Sequence, residues 1–196
     1  MRYTLLLAAA LLVAPAASAQ RFEPFGLELR PFIGAFSPVG RQHDDFKNAT
    51  MLGGQAAVEL NQFLHLVGSV GWTHGHARFG GISTDVTHIW QYDIGAELGP
   101  MYEVSDISIV RPFAGIGGGG RTYDYQATQL GAKTCTAGYG ALGTEFQRDL
   151  LALRLEARGY ASCFEAPMIA PTAPFTPRKQ TRWDFATMLG LTYHIR

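Results

Sequence analysis

The cysteines, the histidines and a run of glycines are the residues whose types and spacing could do chemistry. Cys135 and Cys163 flank Asp149 symmetrically, fourteen residues away on either side. In a hairpin turning at Asp149 they would face each other at one rim, close enough to form a disulfide. A register shifted by one residue, with Glu145 opposite Arg154, would instead send the two thiols to different faces, so a bridge and free thiols both stay open. His74-Gly75-His76, with His88 further on, could offer two imidazoles to a metal, but two ligands without a third partner are too few, and solvated loop histidines are the expectation. His43-Asp44-Asp45 carries no stronger signal. Gly117 to Gly120 lacks the helix start and lysine of a phosphate-cradling loop, and reads as glycines that let a strand curve or make room for Phe113 and Tyr123. Ser69 and Ser162 belong to no nucleophile motif, and neither His65 nor His194 makes a catalytic pair by itself. No catalytic residue, metal or cofactor is therefore expected.

The elements that position these residues begin with a leader. Arg2, the apolar run Leu5 to Val13 and Ala17-Ser18-Ala19 follow the order of a cleavable signal peptide, so residues 1–19 are expected to be removed and residues 20–196 to form one domain. After residue 20 no apolar stretch approaches the roughly 20 residues of a spanning helix, so any membrane crossing must use strands. Without Arg2 the chain holds 15 basic and 16 acidic residues, a balance that gives no field to attract nucleic acid. Twenty-three glycines and 12% aromatic residues suit a sheet better than a helical globule.

From Gly26 onward, stretches of about ten residues alternate apolar and polar side chains, the period of strands with two different faces. Trp183, Phe185, Leu189, Leu191, Tyr193 and Ile195 share one parity, with Arg182, Asp184, Gly190, His194 and Arg196 on the other. The other candidate strands are 26–36, 51–60, 63–73, 88–101, 111–125, 135–148 and 151–163, which makes eight. Short links near Asn61, Ser105 and Asp149 alternate with longer ones at 37–50, 74–87, 126–134 and 164–181, and such alternation places tight turns at one end and loops at the other. Arg30-Pro31-Phe32-Ile33-Gly34 and Arg111-Pro112-Phe113-Ala114-Gly115 echo each other near strand starts, where proline is tolerated.

Such strands must close on themselves in lipid, because no edge can be left unpaired there. The expected fold is an all-β, closed antiparallel up-and-down transmembrane barrel whose lumen is filled by side chains. Glu28, Arg30, Glu59, Asp93, Glu97, Arg111, Arg154, Glu156, Arg158 and Asp184 are expected to pair as an internal charge network. Trp72, Trp90, Tyr92, Trp183 and Phe185 near one end, and Tyr193 near the other, would form interfacial girdles. The last long loop carries Pro167, Pro171, Pro174 and Pro177 beside Arg178, Lys179 and Arg182, and should be extended. Its basic residues could meet lipopolysaccharide phosphates, and Met168, Ile169 and Phe175 could pack over the barrel mouth.

The leader, the Arg-Pro-Phe-x-Gly strand starts and the closing run Gly190-Leu191-Thr192-Tyr193-His194-Ile195 resemble small outer-membrane barrels of the OmpA/OmpX-like type, over essentially the whole mature chain. The resemblance implies residence in a Gram-negative outer membrane, contact with its lipid and lipopolysaccharide, and a monomer. It also implies that Gly190, Tyr193 and Ile195 carry the signal read by the barrel-insertion machinery. The expected function is non-enzymatic, a barrel displaying loops for envelope integrity, adhesion or surface interaction. The alternatives are a lipid A modifying enzyme, a narrow conduit for small apolar molecules, and a soluble lipocalin-like carrier, whose usual Gly-x-Trp is missing from the first strand.

Overall fold

The computed structural model describes residues 26–39, 47–79, 82–125, 132–164 and 180–195. The leader, the His43-Asp44-Asp45 cluster, the prolines and basic or apolar residues of 165–179, and Arg196 lie outside them.

Alternation becomes strand wherever each face finds its own environment, and among the described residues it does so in eight long strands, with a ninth, short and exposed, beside them. The strands are β1 (Leu27–Pro38), β2 (Ala49–Glu59), β3 (Leu64–Phe79), β4 (Ile82–Leu98), β5 (Tyr102–Ser105), β6 (Ser108–Tyr125), β7 (Lys133–Arg148), β8 (Leu151–Phe164) and β9 (Gln180–Ile195). Every pairing is antiparallel, in the order β4-β3-β2-β1-β9-β8-β7-β6, and β4 pairs with β6 to close the cylinder. Eight staves thus form an up-and-down barrel. The four-residue β5 is an extra piece that extends β6 at the short-turn end and was not expected from the sequence.

Two prolines fit this ladder by sitting where it is interrupted. The β1–β9 pairing runs from Leu29 opposite Tyr193 to Phe32 opposite Gly190 and passes over Pro31. Pro112 lies where β6 changes partner, between Val110 opposite Tyr102 of β5 and Ala114 opposite Leu98 of β4. Both prolines are therefore inside strands, at gaps where a missing N–H costs no bond.

The segment 74–87, expected as a loop, is instead mostly strand. β3 and β4 run on past Trp72 and Trp90, pairing His74 with His88 and Gly75 with Thr87 before a register irregularity between His76 and Arg78. Polar composition misled here, because a tilted strand needs only about 9–11 residues to cross a bilayer. The 16 to 18 residues of β3, β4, β6, β7 and β9 continue beyond that length. There, polar side chains on both faces are compatible with a paired ladder.

At Gly119 the strands come too close for a side chain: an added Cβ would lie 1.9 Å from the Tyr92 carbonyl oxygen and 2.7 Å from Asp93 Cα. Gly140 has nothing within 4 Å of the same position. Gly119→Ala is expected to destabilise the barrel by about 1–3 kcal/mol, while Gly140→Ala stays within about 0.5 kcal/mol. Urea unfolding in lipid vesicles compares them, and equal effects would contradict the close-approach account.

Candidate functional site in the barrel lumen

The strand faces sort by charge. Inward positions hold Glu28 and Arg30 from β1, Gln55 and Glu59 from β2, and His65 and Ser69 from β3. β4 and β6 add Gln91, Asp93, Glu97, Arg111 and Arg121. The remaining strands add Glu145, Arg154, Glu156, Arg158, Asp184 and His194. All are buried except Glu59, which is half-buried toward the short-turn mouth. Outward positions are apolar: Ile94 is 62% exposed, Ile116 74%, Leu142 67% and Leu191 57%. Such exposure in water would be an aggregation hazard, and in a bilayer it is the matching surface.

The lumen charges form one connected set. Arg154 is its centre: Nε donates to Glu156 Oε2 at 3.0 Å, one terminal nitrogen to Glu145 Oε2 at 3.3 Å, and the other to Glu97. Arg30 joins Glu28 through Nε at 2.7 Å and Glu97 at 3.1 Å. Arg111 stands 3.7 Å from both Glu97 and Glu145. Arg158 pairs with Glu156, donates to Ser69 Oγ at 3.0 Å, and lies 3.5 Å from Asp93. Higher up, Arg121 pairs with Asp184 and donates to Gln91 at 3.1 Å. Guanidinium planes also cover rings, Arg154 over Phe113 at 3.7 Å, Arg121 over Tyr160 at 4.2 Å and Arg158 over Tyr139 at 4.5 Å. These contacts suit arginine, whose planar fork bonds at its edge and stacks on its face.

Nine of the ten expected network residues thus meet in ion pairs centred on arginine. Among the described residues Glu59 pairs instead with His194, at 3.7 Å. Sequence reasoning missed Glu145, Arg121, His65, Gln55 and Tyr160 as members. Glu145 could have been found from its parity with Tyr139 and Ala141, and from the register that sets it opposite Arg154. In the lower lumen the six carboxylates of Glu28, Glu59, Asp93, Glu97, Glu145 and Glu156 outnumber the four guanidiniums of Arg30, Arg111, Arg154 and Arg158 by two among the described residues.

A cavity of about 10 Å³ lies between Arg30, Phe32, Arg154, Glu156 and Met188. That is room for one water at most. A separate groove of about 850 Å³ is open on the barrel wall along Leu29, Gly54, Ala56, Gly68, Val70 and Ile94.

The β7–β8 register sets Glu145 opposite Arg154 and Ala137 opposite Ser162, so it is not the register that would place Cys135 directly across from Cys163. Cys135 lies on the inward parity of β7 and position 163 on the outward parity of β8, an offset that opposes a direct cross-strand bridge. The Cys163 side chain is outside the described residues. His74, His76 and His88 are not loop residues but face outward from paired strands, where the Trp72 ring stacks on His88 at 5.5 Å and His74 lies 5.1 Å from His88. Trp90, Tyr92, Trp183 and Phe185 are 43 to 60% exposed on the same outer face, with Tyr193 near the short-turn end. Gly190 lies opposite Phe32, while Tyr193 and Ile195 point outward. Gly117 to Gly120 lie within β6 and lead to no helix.

A closed antiparallel barrel with an apolar exterior and a charged, filled interior defines an outer-membrane-type β-barrel. The chain belongs to the outer membrane protein β-barrel domain family, whose model matches residues 4–163. Among solved structures it is similar to the outer membrane protein OprG of Pseudomonas aeruginosa, with TM-score 0.61 and 11% identity over 89% of this chain and 97% of that one. The N-terminal β-barrel domain of Pseudomonas aeruginosa OprF gives TM-score 0.50 and 12% identity over 87% and 97%. Ail, the attachment invasion locus protein of Yersinia pestis, gives 0.49 and 15% over 88% and 99%. At these identities the likeness is one of fold. The comparison with curated proteins gives no significant match.

Proposed function

We propose that the protein is a non-enzymatic outer-membrane barrel, exported by its leader, whose rigid scaffold displays the connecting segments at its long-strand end for surface interaction, adhesion or envelope integrity. The observation that carries this reading is the lumen. Its central carboxylates and guanidiniums are cross-linked around Arg154, which ties β1, β4, β7 and β8 together and gives the scaffold stiffness. The Ser69 hydroxyl, a potential nucleophile by residue type, is engaged there too: its Oγ accepts from Arg158 and lies 3.4 Å from Asp93. Lipid and lipopolysaccharide would surround the outward apolar face, a single copy would suffice because the barrel has no open edge, and the β9 residues Gly190, Tyr193 and Ile195 would be offered to the insertion machinery.

The wall groove favours a second reading, a conduit for small apolar molecules. It would need a passage inward, yet Arg30, Gln55, Ser69 and Asp93 beneath the groove are held in the network.

The test is expression of the full chain in a Gram-negative host. A band in the outer-membrane fraction that shifts on boiling, together with surface detection of an epitope inserted in 165–179 on intact cells, is the expected result. A periplasmic product without a shift would reject the membrane assignment. Stepwise conductance in planar bilayers would reject the filled lumen in favour of a conduit.

A further inference from the structure

At the short-turn mouth four neighbouring strands each contribute one inward residue: His194 from β9, Glu28 from β1, Glu59 from β2 and His65 from β3. Register makes them two facing pairs, Glu28 opposite His194 and Glu59 opposite His65. Both imidazoles direct Nδ1 at the same oxygen, Glu28 Oε1, each at 3.4 Å. His194 Nδ1 is also 3.7 Å from Glu59 Oε1, and ligand atoms of Glu28, Glu59 and His194 all lie within 4.8 Å of one another.

Hydrogen bonding leaves this group unfinished. Arg30 occupies the other oxygen of Glu28, but among the described residues Glu28 Oε1, both nitrogens of His65 and Nε2 of His194 have no hydrogen-bond partner. Glu28 and His65 are 1% and 0% exposed, so bulk solvent does not reach them. Unpartnered buried polar atoms are costly, and so is the excess of two carboxylates over guanidiniums among the described residues of the lower lumen.

We propose that Glu28, Glu59 and His194 bind a first-row divalent cation of the Zn²⁺ type at this mouth. Ligands at about 2.0–2.2 Å from a tetrahedral ion stand roughly 3.3–3.5 Å apart, and the observed separations of 3.4 and 3.7 Å need little adjustment. A charge of +2 cancels the local excess. Glu145 Oε1 lies 3.9 Å from His194 Nε2, beyond hydrogen-bond reach, on the side from which a carboxylate could approach to orient a ligating imidazole. His65 lies 3.4 Å from the same Glu28 oxygen and can hold it in place. Glu59 and His194 keep some exposure, which gives the ion a way in from the mouth.

The competing arrangement is metal-free, with both imidazoles resting against Glu28. Calorimetric titration of ZnCl₂ into untagged, chelator-treated barrel in detergent separates the two. One ion per chain is expected, with affinity reduced at least about tenfold in Glu59→Gln and in His194→Gln. The triple change His74→Ala, His76→Ala and His88→Ala should leave that binding intact. Glu59 is at the rim, so Glu59→Gln should keep the heat-shifted band that proves a folded barrel. No uptake by the folded wild-type chain, or uptake unchanged by Glu59→Gln and His194→Gln, would overturn the site.

Discussion

Arg154→Met is expected to cost the barrel about 3–5 kcal/mol, the range for removing one partner from a buried ionic cluster. Methionine keeps an apolar stem against Phe113 but leaves Glu97, Glu145 and Glu156 without their shared cation. Arg30 and Arg158 each reach one of these carboxylates but are also paired with Glu28 and Asp93, and Arg111, 3.7 Å from both Glu97 and Glu145, stands too far off to replace the bonds that Arg154 donates. The loss should therefore greatly exceed that of Arg148→Met, whose side chain is exposed at the Asp149 turn. Reversible urea unfolding in lipid vesicles provides both values. A loss below about 1 kcal/mol for Arg154→Met would mean that the carboxylates take up protons or water freely and that the network does not hold the lumen rigid.

The outer face gives the second large effect. Leu142 is 67% exposed, opposite Ala114 on β6 and Ala157 on β8, and lies seven residues before Asp149. With about 9–11 residues per crossing, that position falls near the middle of the hydrocarbon. Leu142→Arg is expected to destabilise the barrel by about 2–4 kcal/mol in a bilayer, against about 0–1 kcal/mol for a charge near the interface. Val104 on β5, 68% exposed at the short-turn end, supplies that comparison as Val104→Arg. Equal costs at the two positions would place the membrane elsewhere on the barrel. The same unfolding measured in a short-chain detergent should shrink the difference, because the charge then reaches water more easily.

Much of the fold was legible because a strand's two faces are written locally. Leu151, Leu153 and Leu155 against Arg154, Glu156 and Arg158 state the period of two without any knowledge of partners. The tight turn at Asp149 was legible as well, and that residue adopts a left-handed φ of 55°. Strand length was less so. His74 and His76 read as loop because polar residues on both faces carry no alternation, although the ladder continues through them. The network was legible as a set of inward charges but not as contacts. Glu145 was missed because its strand's inner face otherwise shows Ala137, Tyr139 and Ala141. The mouth cluster was hidden for a different reason: His65 and His194 stand 129 residues apart in sequence and meet only through Glu28.

By itself, then, the amino-acid order determined which side chains face lipid and which face the lumen, how many staves there are and where the chain reverses, since each of these depends on neighbours one or two residues away. The tertiary structure decided which inward residues share a level. That depends on the stagger accumulated around a closed ladder, through the β4–β6 seam and the β1–β9 seam, where strands distant in sequence must meet in one register. Closure brings Glu28, Glu59, His65 and His194 to one mouth and gathers three carboxylates around Arg154. No local pattern specifies either meeting.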